Sequence, residues 1–502
     1  MSTTILLSFV IGYFLLLLGV AWYTSRGSNN ESFFIGNRKS NWILVAFGMI
    51  GTSLSGVTFV SVPGAVGENH FTYLQVVFGY LLGYVVIAYV LLPLYYRLNL
   101  TSIYSYLGNR FGKTAHYTGA SYFIISRVIG ATARLYLVIN ILQLFILDQL
   151  HLPFVVTSLI ILTLIMLYTF QGGVKTIVYT DTLQTLGMLV GLVACILAIT
   201  SQLHLGFGDA LDQMSDKGYT KIFNTDPKSG AYFIKQIVGG MFITIVMTGL
   251  DQEMMQKNIS VKNLKDSQKN IMSFAAVLVL VNFLFLFLGG LLHIYQSAHP
   301  DVNAAKDALF PTIALKGQLG GTIGIIFIIA LISALFPSVD GAITSLTSSF
   351  CIDILGMHQS VASEQQKKRK RMLVHFSFAA LFFLLLIIFK IINNGMIIDF
   401  ILKFAGITYG PLLGMFAFGI MTSREIRNKL LWIVCLAGPL FTLVIDLLCN
   451  PSWYEKLLHI DLGLNPTSEM LFGGYKIGVE LILINGFIVY TGLMMISRKN
   501  KS

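Results

Sequence analysis

Residues 51–67 read GTSLSGVTFVSVPGAVG, a run studded with Gly, Ser, Thr and Pro inside an apolar segment, 41–66, long enough to cross a bilayer. In hydrocarbon an unpaired N–H or C=O costs several kcal/mol, so loosened backbone persists only where it is buried in protein or faces a solute, an ion or water. A chain carrying such a stretch is constrained to fold as membrane helices around a polar centre.

The remaining residues agree with that setting. Of 502 residues, 55% are hydrophobic and 11% charged, against roughly 25% charged in a soluble domain. The net charge is +11, but a nucleic-acid surface gathers Lys and Arg on one soluble face, and here they fall between apolar runs. Those runs lie at 4–24, 41–66, 72–96, 117–148, 153–170, 177–203, 232–252, 271–296, 319–350, 373–392, 397–420, 430–448 and 474–496, which predicts an all-α integral membrane protein of about thirteen transmembrane helices. No Lys or Arg precedes the first run and Arg26 follows it, so it reads as a retained span rather than a cleaved signal.

The polar segments at 204–231, 253–269, 297–318, 353–372 and 449–472 are too short for separate domains, so 1–502 reads as a single polytopic domain. No G-x-x-x-x-G-K-[ST] pattern supports a role for ATP. Cys195, Cys351, Cys435 and Cys449 are scattered, without zinc spacing or a disulfide framework.

Basic residues crowd alternate loops: Arg26, Arg38 and Lys39, then Arg97, Arg110 and Lys113, then Lys175. They continue at Lys257, Lys262, Lys265 and Lys269, at the KKRKR run 367–371, at Arg424, Arg427 and Lys429, and at Arg498, Lys499 and Lys501. The positive-inside rule then puts the N-terminus outside and the C-terminus in the cytoplasm of a plasma (inner) membrane. The KKRKR run reads as a topology anchor, with anionic lipid or a partner as the alternative.

Gly239, Gly240 and Gly249 punctuate the span 232–252, five spans after the one containing Gly51 and Gly56. Interrupted helices at corresponding positions of two halves point to the site of an inverted-repeat transporter, whereas glycine in membrane helices also serves close packing.

Six segments in order carry a resemblance: SLSGVTFVSVPGAVG (53–67), LPLYYRLNLTSIYSYLGNRFG (92–112), GGVKTIVYTDTLQ (172–184), TGLDQEMMQKNISVKNLKDSQK (248–269), SALFPSVDGAITSLTSSFCIDI (333–354) and GITYGPLLGMFAFG (406–419). On these the chain resembles the sodium:solute symporter family, which includes proline, pantothenate, sialic acid and sugar symporters. The resemblance implies a LeuT-type core of two inverted five-helix repeats at 41–420, preceded by an extra helix at 4–24 and followed by two helices at 430–496. The interruptions would then fall in core helices 1 and 6, with 177–203 as core helix 5 and 319–350 as core helix 8.

The resemblance further implies a sodium ion between core helices 1 and 8, on the backbone carbonyls of Gly51 and Leu54 and on Ala334, Pro337 and Ser338. The last three share one helix face; small residues there would also serve helix approach. Where most members carry two adjacent hydroxyl residues, this chain has Pro337 before Ser338. Proline removes an N–H and so frees the carbonyl of Ser333, which we expect to replace the missing ligand in part.

Asp340 lies mid-span, where an acid marks a functional site by default, and Asp181 matches an acidic position that supports sodium in some relatives. Facing one another, the two would hold a second sodium or a proton; otherwise Asp340 would be satisfied by Thr344 and Ser345. Arg127 and Arg134, seven apart on one helix, would favour an anionic solute, unless they pair with an intramembrane acid. Thr58 follows the break at a solute-contacting position of the family, with Ser53 and Ser55 beside it. Thr244 and Met247 stand where sugar carriers have polar ligands, which weakens a neutral hexose.

Tyr409, before the Gly-Pro pair of core helix 10, is expected to close the outer path or to sit in an interfacial belt. Gln75, Gln236, Asn282, His293 and Lys403 are other polar residues in or near spans, Lys403 with the option of snorkelling. The expected function is sodium-coupled symport of a small organic solute into the cytoplasm by alternating access. Na+ is the coupling ion; no cofactor, catalytic residue, nucleic acid or ATP is expected. Proton coupling on the same fold and a membrane solute sensor are the alternatives.

Overall fold

The computed structural model describes residues 3–26, 33–34, 36–169, 173–316, 319–357, 361–392 and 397–498. Gly172, Lys499 and Lys501, used above, lie outside them. The described chain is mostly helical. The principal helices are α1 (Thr3–Thr24), α2 (Trp42–Ser53), α3 (Gly56–Gly64), α4 (Tyr73–Val86), α5 (Lys113–Leu142), α6 (Phe154–Thr169), α7 (Gly173–Gln202) and α8 (Phe233–Thr244). They continue as α9 (Gln252–Ile259), α10 (Leu264–Ala298), α11 (Gly321–Ser349), α12 (Glu364–Ile392), α13 (Ile397–Thr408), α14 (Gly410–Met421), α15 (Asn428–Cys449) and α16 (Leu481–Ile496).

Among the described residues, 8 helices are long and apolar enough to cross a membrane. Three further pairs qualify only together, because each is bent at a short break: α2 with α3 by 51°, α8 with α9 by 64°, and α13 with α14 by 46°. The helices α6 and α16 are apolar but only 16 residues long. The expected span 474–496 loses its first seven residues to a turn in which the Glu480 carboxylate accepts from Gly478 N (3.0 Å) and Tyr475 Oη (3.2 Å).

Between lipid-facing helices no hydrophobic drive exists, so close approach of small residues must supply the packing. Gly191 of α7 has Ala330 of α11 against its Cα, and Gly187 has Ser333 there. Gly79 and Gly83 of α4 face the backbone of α8 at Ile237 and Met241, while Gly240 faces Val76 in return. A Cβ at Gly239 would lie 2.6 Å from Val479. Gly239 and Gly240 thus lie in an unbroken helix and act as packing contacts; the expected interruption over 239–249 narrows to Leu250–Asp251, directly after Gly249.

The largest departure from the sequence expectation follows that break. Residues 253–259, assigned above to a cytoplasmic loop, form most of α9, and every residue of α9 is buried. Near the C-terminus, Glu425–Ile426 (β1) pairs antiparallel with Ser497–Arg498 (β2).

Candidate functional site

The α2–α3 break forms without proline. Asn41 caps α2 by accepting from Ile43 N at 2.9 Å, and the last helical bond runs from Leu54 N to Ile50 O at 2.8 Å. Ser55 is then extended (φ −71°, ψ 174°) and α3 restarts at Gly56. The carbonyls of Gly51, Thr52, Ser53 and Leu54 consequently drop out of the i→i+4 ladder, and no hydrogen bond to them occurs among the described residues. Gly51, Thr52 and Leu54 are buried and Ser53 half-buried; buried carbonyls are almost always paired, so carbonyls left open together are able to take an electropositive guest.

Two glycines seat this break on α11. A Cβ at Gly51 would collide with Thr185 Oγ1 and lie 3.4 Å from Pro337 Cγ; one at Gly56 would lie 3.8 Å from Leu335 Cα. The loosened segment is therefore bracketed against residues 335–337 of α11. Ser338 donates its hydroxyl hydrogen to Leu335 O (2.8 Å), which leaves its oxygen lone pairs free to accept. Ala334, Pro337 and Ser338 are buried on the same helix. The Ser333 hydroxyl is taken by Tyr13 of α1 at 2.6 Å, while its carbonyl lacks the N–H that Pro337 cannot supply.

At the α8–α9 break, by contrast, the two carbonyls that precede Asp251 are taken by tyrosines. Tyr95 Oη donates to Gly249 O (2.7 Å) and Tyr104 Oη to Leu250 O (3.0 Å). Asp251 caps α9 by accepting from Glu253 N (3.0 Å) and Met254 N (3.2 Å), and its charge complements the helix N-terminus. Gln252 clamps the preceding loop, accepting from Ile103 N and donating to Thr101 O, both at 3.0 Å.

From α9 a ladder of buried charges reaches three other helices. Arg127 of α5 pairs with Glu253 and lies 3.7 Å from Asp251. Tyr409, at the α13–α14 bend, donates to Asp251 Oδ2 at 3.0 Å. Lys257 Nζ lies 2.6 Å from both Asp181 Oδ2 on α7 and Thr52 Oγ1 on α2, and 3.6 Å from Glu253 Oε1. Sequence reasoning missed Asp251, Glu253 and Lys257 because polar DQEMMQKN reads as loop by hydropathy; its available signal was the strong N-cap pattern at Asp251 directly after an apolar run.

Beside the breaks lies a cavity of about 100 Å³, lined by Ser53, Ser55, Thr58, Thr244, Met247 and both Arg127 and Arg134 among others. A second cavity, which includes Asn69, His70 and Gln236, shares Tyr73, Ile398 and Leu402 with it, so the two are adjacent. Arg134 has no ion pair or hydrogen bond among the described residues. Asn282 donates to Leu278 O (2.8 Å) and presents an unpaired Oδ1 at the cavity.

The other singled-out residues have local partners. Asp340 accepts from Tyr168 Oη at 3.0 Å and from Gly341 N, rather than from Thr344 or Ser345. Gln75 is saturated by Thr72 O, Ala231 O and Asn224 N. His293 Nε2 accepts from Gly67 N at 2.9 Å. Lys403 pairs with Asp446 at 2.7 Å and lies over Trp453 rather than snorkelling alone. Tyr409 lies on the charge ladder and lines a small pocket with Arg127, Arg134 and Met247.

A sequence profile of the sodium:solute symporter family matches residues 33–434. The chain belongs to the sodium:solute symporter family. It is therefore a transporter and not an enzyme, one that couples the entry of Na+ to that of a small solute within the membrane. The symporter is similar to the sodium/sialic acid symporter NanT of Aliivibrio fischeri (22% identity over 83% of this chain and 82% of that protein). It is also similar to the sodium-dependent multivitamin transporter of Oryctolagus cuniculus (27%, over 84% and 67%). Among solved structures, a substrate-bound, outward-open Na+-coupled sialic acid symporter superposes with a TM-score of 0.80 at 19% identity, covering 98% of this chain and 97% of that one.

Proposed function

We propose that the symporter moves an anionic small solute inward with sodium held between α2–α3 and α11. The observation that carries the ion site is the set of four carbonyls, Gly51 to Leu54, released from the helix ladder against α11. Sodium is a hard cation that takes oxygen ligands, as calcium and magnesium do. Gly51 and Leu54 would supply carbonyls, and Ala334, Pro337 and Ser338 would complete the shell, with the Ser333 carbonyl substituting for the hydroxyl that Pro337 lacks.

The solute would sit in the adjoining cavity, against Ser53, Ser55, Thr58, Thr244 and Met247, with Arg134 as the cationic anchor. Its half-buried guanidinium is the basic group lining the cavity without an ion pair, and a guanidinium matches anionic oxygens in a two-pronged geometry. We take the thirteen expected spans as the long helices, the three bent pairs and the two shorter apolar helices together. They would be arranged as a LeuT-type inverted repeat at 41–420 with its N-terminus outside. In that orientation both cavities open outward and the ladder on α9 closes the cytoplasmic side, with Tyr409 part of the inner closure. Sodium binding would favour the state with a formed solute site, and rocking of the helix groups would then open the inside. One inward charge contributes about 2.3 kcal/mol per 100 mV, enough for roughly a 50-fold gradient.

A thermal-shift panel on the purified protein tests the solute class. Acidic sugars and monocarboxylates are expected to raise the melting temperature in NaCl and not in choline chloride, because only a bound ligand stabilises by mass action. Stabilisation by neutral hexoses alone would overturn the assignment. For the ion site, Ser338→Ala should raise the sodium concentration for half-maximal uptake about 10-fold, a loss of about 1.4 kcal/mol. Unchanged sodium dependence at normal expression would remove Ser338 from the shell.

A further inference from the structure

A buried ammonium stands beside Asp181, for which a second sodium was one of the readings the sequence left open. Asp181, an acid on a membrane helix, presents Oδ2 not to a vacant pocket but to Lys257 Nζ at 2.6 Å, and the same ammonium takes Thr52 Oγ1 at 2.6 Å. Glu253 Oε1 is third, at 3.6 Å. Lys257 and Asp181 are 3% and 0% exposed at their side chains. On the α11 side, Gly341 has no side chain to offer, and the Glu253 carboxylate fills the space a Cβ there would need. Asp340 beside it is engaged by Tyr168 and by Gly341 N. Oxygens from α2, α7 and α9 thus converge on one unit of positive charge that the chain itself supplies.

We propose that the Lys257 ammonium is a tethered second cation, filling the place at Asp181 and Thr52 that a second sodium would otherwise occupy. The symporter then binds one sodium, at the α2–α11 break. Two like charges cannot share so small a buried space, and an ammonium on a covalent stem needs no gradient to occupy it. Its stem belongs to α9, so the cation that pins α7 and α2 travels with the inner half of the broken helix. The inference rests on the sodium coupling of the preceding section but not on the identity of the solute.

Sodium alone is therefore the probe. Equilibrium binding of radioactive sodium to the purified full chain should saturate at about one ion per protein, with choline as counter-cation. Lys257→Gln should bind about one ion more, and Asp181→Asn, which removes the carboxylate from a site sodium does not use, should leave sodium binding within about 2-fold of wild type. Two ions bound by the wild type, or a lost ion or a 10-fold weaker isotherm in Asp181→Asn, would overturn the proposal, as would a natively stable Lys257→Gln that still binds one. The wild-type count decides even where a variant does not fold. Ser338→Ala in the same assay separates the readings, since it weakens the remaining sodium if the break site is right and leaves the Lys257 result untouched if it is not.

Discussion

Arg134→Ala is expected to reduce solute uptake about 30- to 1,000-fold while leaving sodium binding intact. Arg134 lines the central cavity and makes no ion pair among the described residues, Asp251 acting on it only at longer range, so its charge is available to the solute. Truncating one side of a desolvated, charge-assisted pair costs about 2 to 4 kcal/mol, and every 1.4 kcal/mol is tenfold. Arg134→Lys should recover part of the loss, because an ammonium keeps the charge but not the two-pronged geometry that matches a carboxylate. The check is a pair of measurements on each variant in proteoliposomes: initial uptake of the anion found in the thermal-shift panel, and sodium binding without it. Equal loss of both would make Arg134 a structural residue.

The second large effect belongs to Arg127→Ala. Arg127 holds Glu253 and lies beside Asp251 with its side chain 4% exposed, so alanine leaves two buried carboxylates with only the more distant Lys257 to offset them, at about 3 to 5 kcal/mol. Because Glu253 and Asp251 begin α9, the cost falls on the arrangement that ties α9 to α5 and to the α13–α14 bend. A penalty of that size shifts a two-state equilibrium more than 100-fold. We expect the inner side to lose its closure, read as faster alkylation of an introduced Met254→Cys by a membrane-impermeant thiol reagent applied from the cytoplasmic side. The four native cysteines are buried, which keeps the background low. The charge-free pair Arg127→Gln with Glu253→Gln should regain much of the lost thermal stability, since no unpaired ion remains between them. Unchanged labelling in Arg127→Ala would detach the ladder from gating.

Particular residues show where sequence reading succeeds and stops. The first break was legible at Gly51 to Gly56 because small and hydroxylated residues in an apolar run contradict a uniform lipid-facing helix. At Gly239 and Gly240 the same signal was misleading. There glycine admits the backbone of α4, and the actual break, at Leu250–Asp251, is announced by an acidic cap. Arg127 and Arg134 look equivalent seven residues apart on one helix, and both line the cavity; the fold gives Arg127 a glutamate and Arg134 no ion pair among the described residues.

Local chemistry written along the chain determined the membrane setting, the approximate spans, the family and the loosened backbone at Gly51 to Leu54. Each depends on hydropathy or on the intrinsic habits of neighbouring residues. Tertiary structure alone decided that the polar segment 252–259 is buried, that Lys257 meets Asp181 across 76 positions of chain, and that Tyr409 serves the ladder. A buried charge is tolerated only by the partner beside it, and that partner is chosen by how helices pack rather than by spacing in sequence.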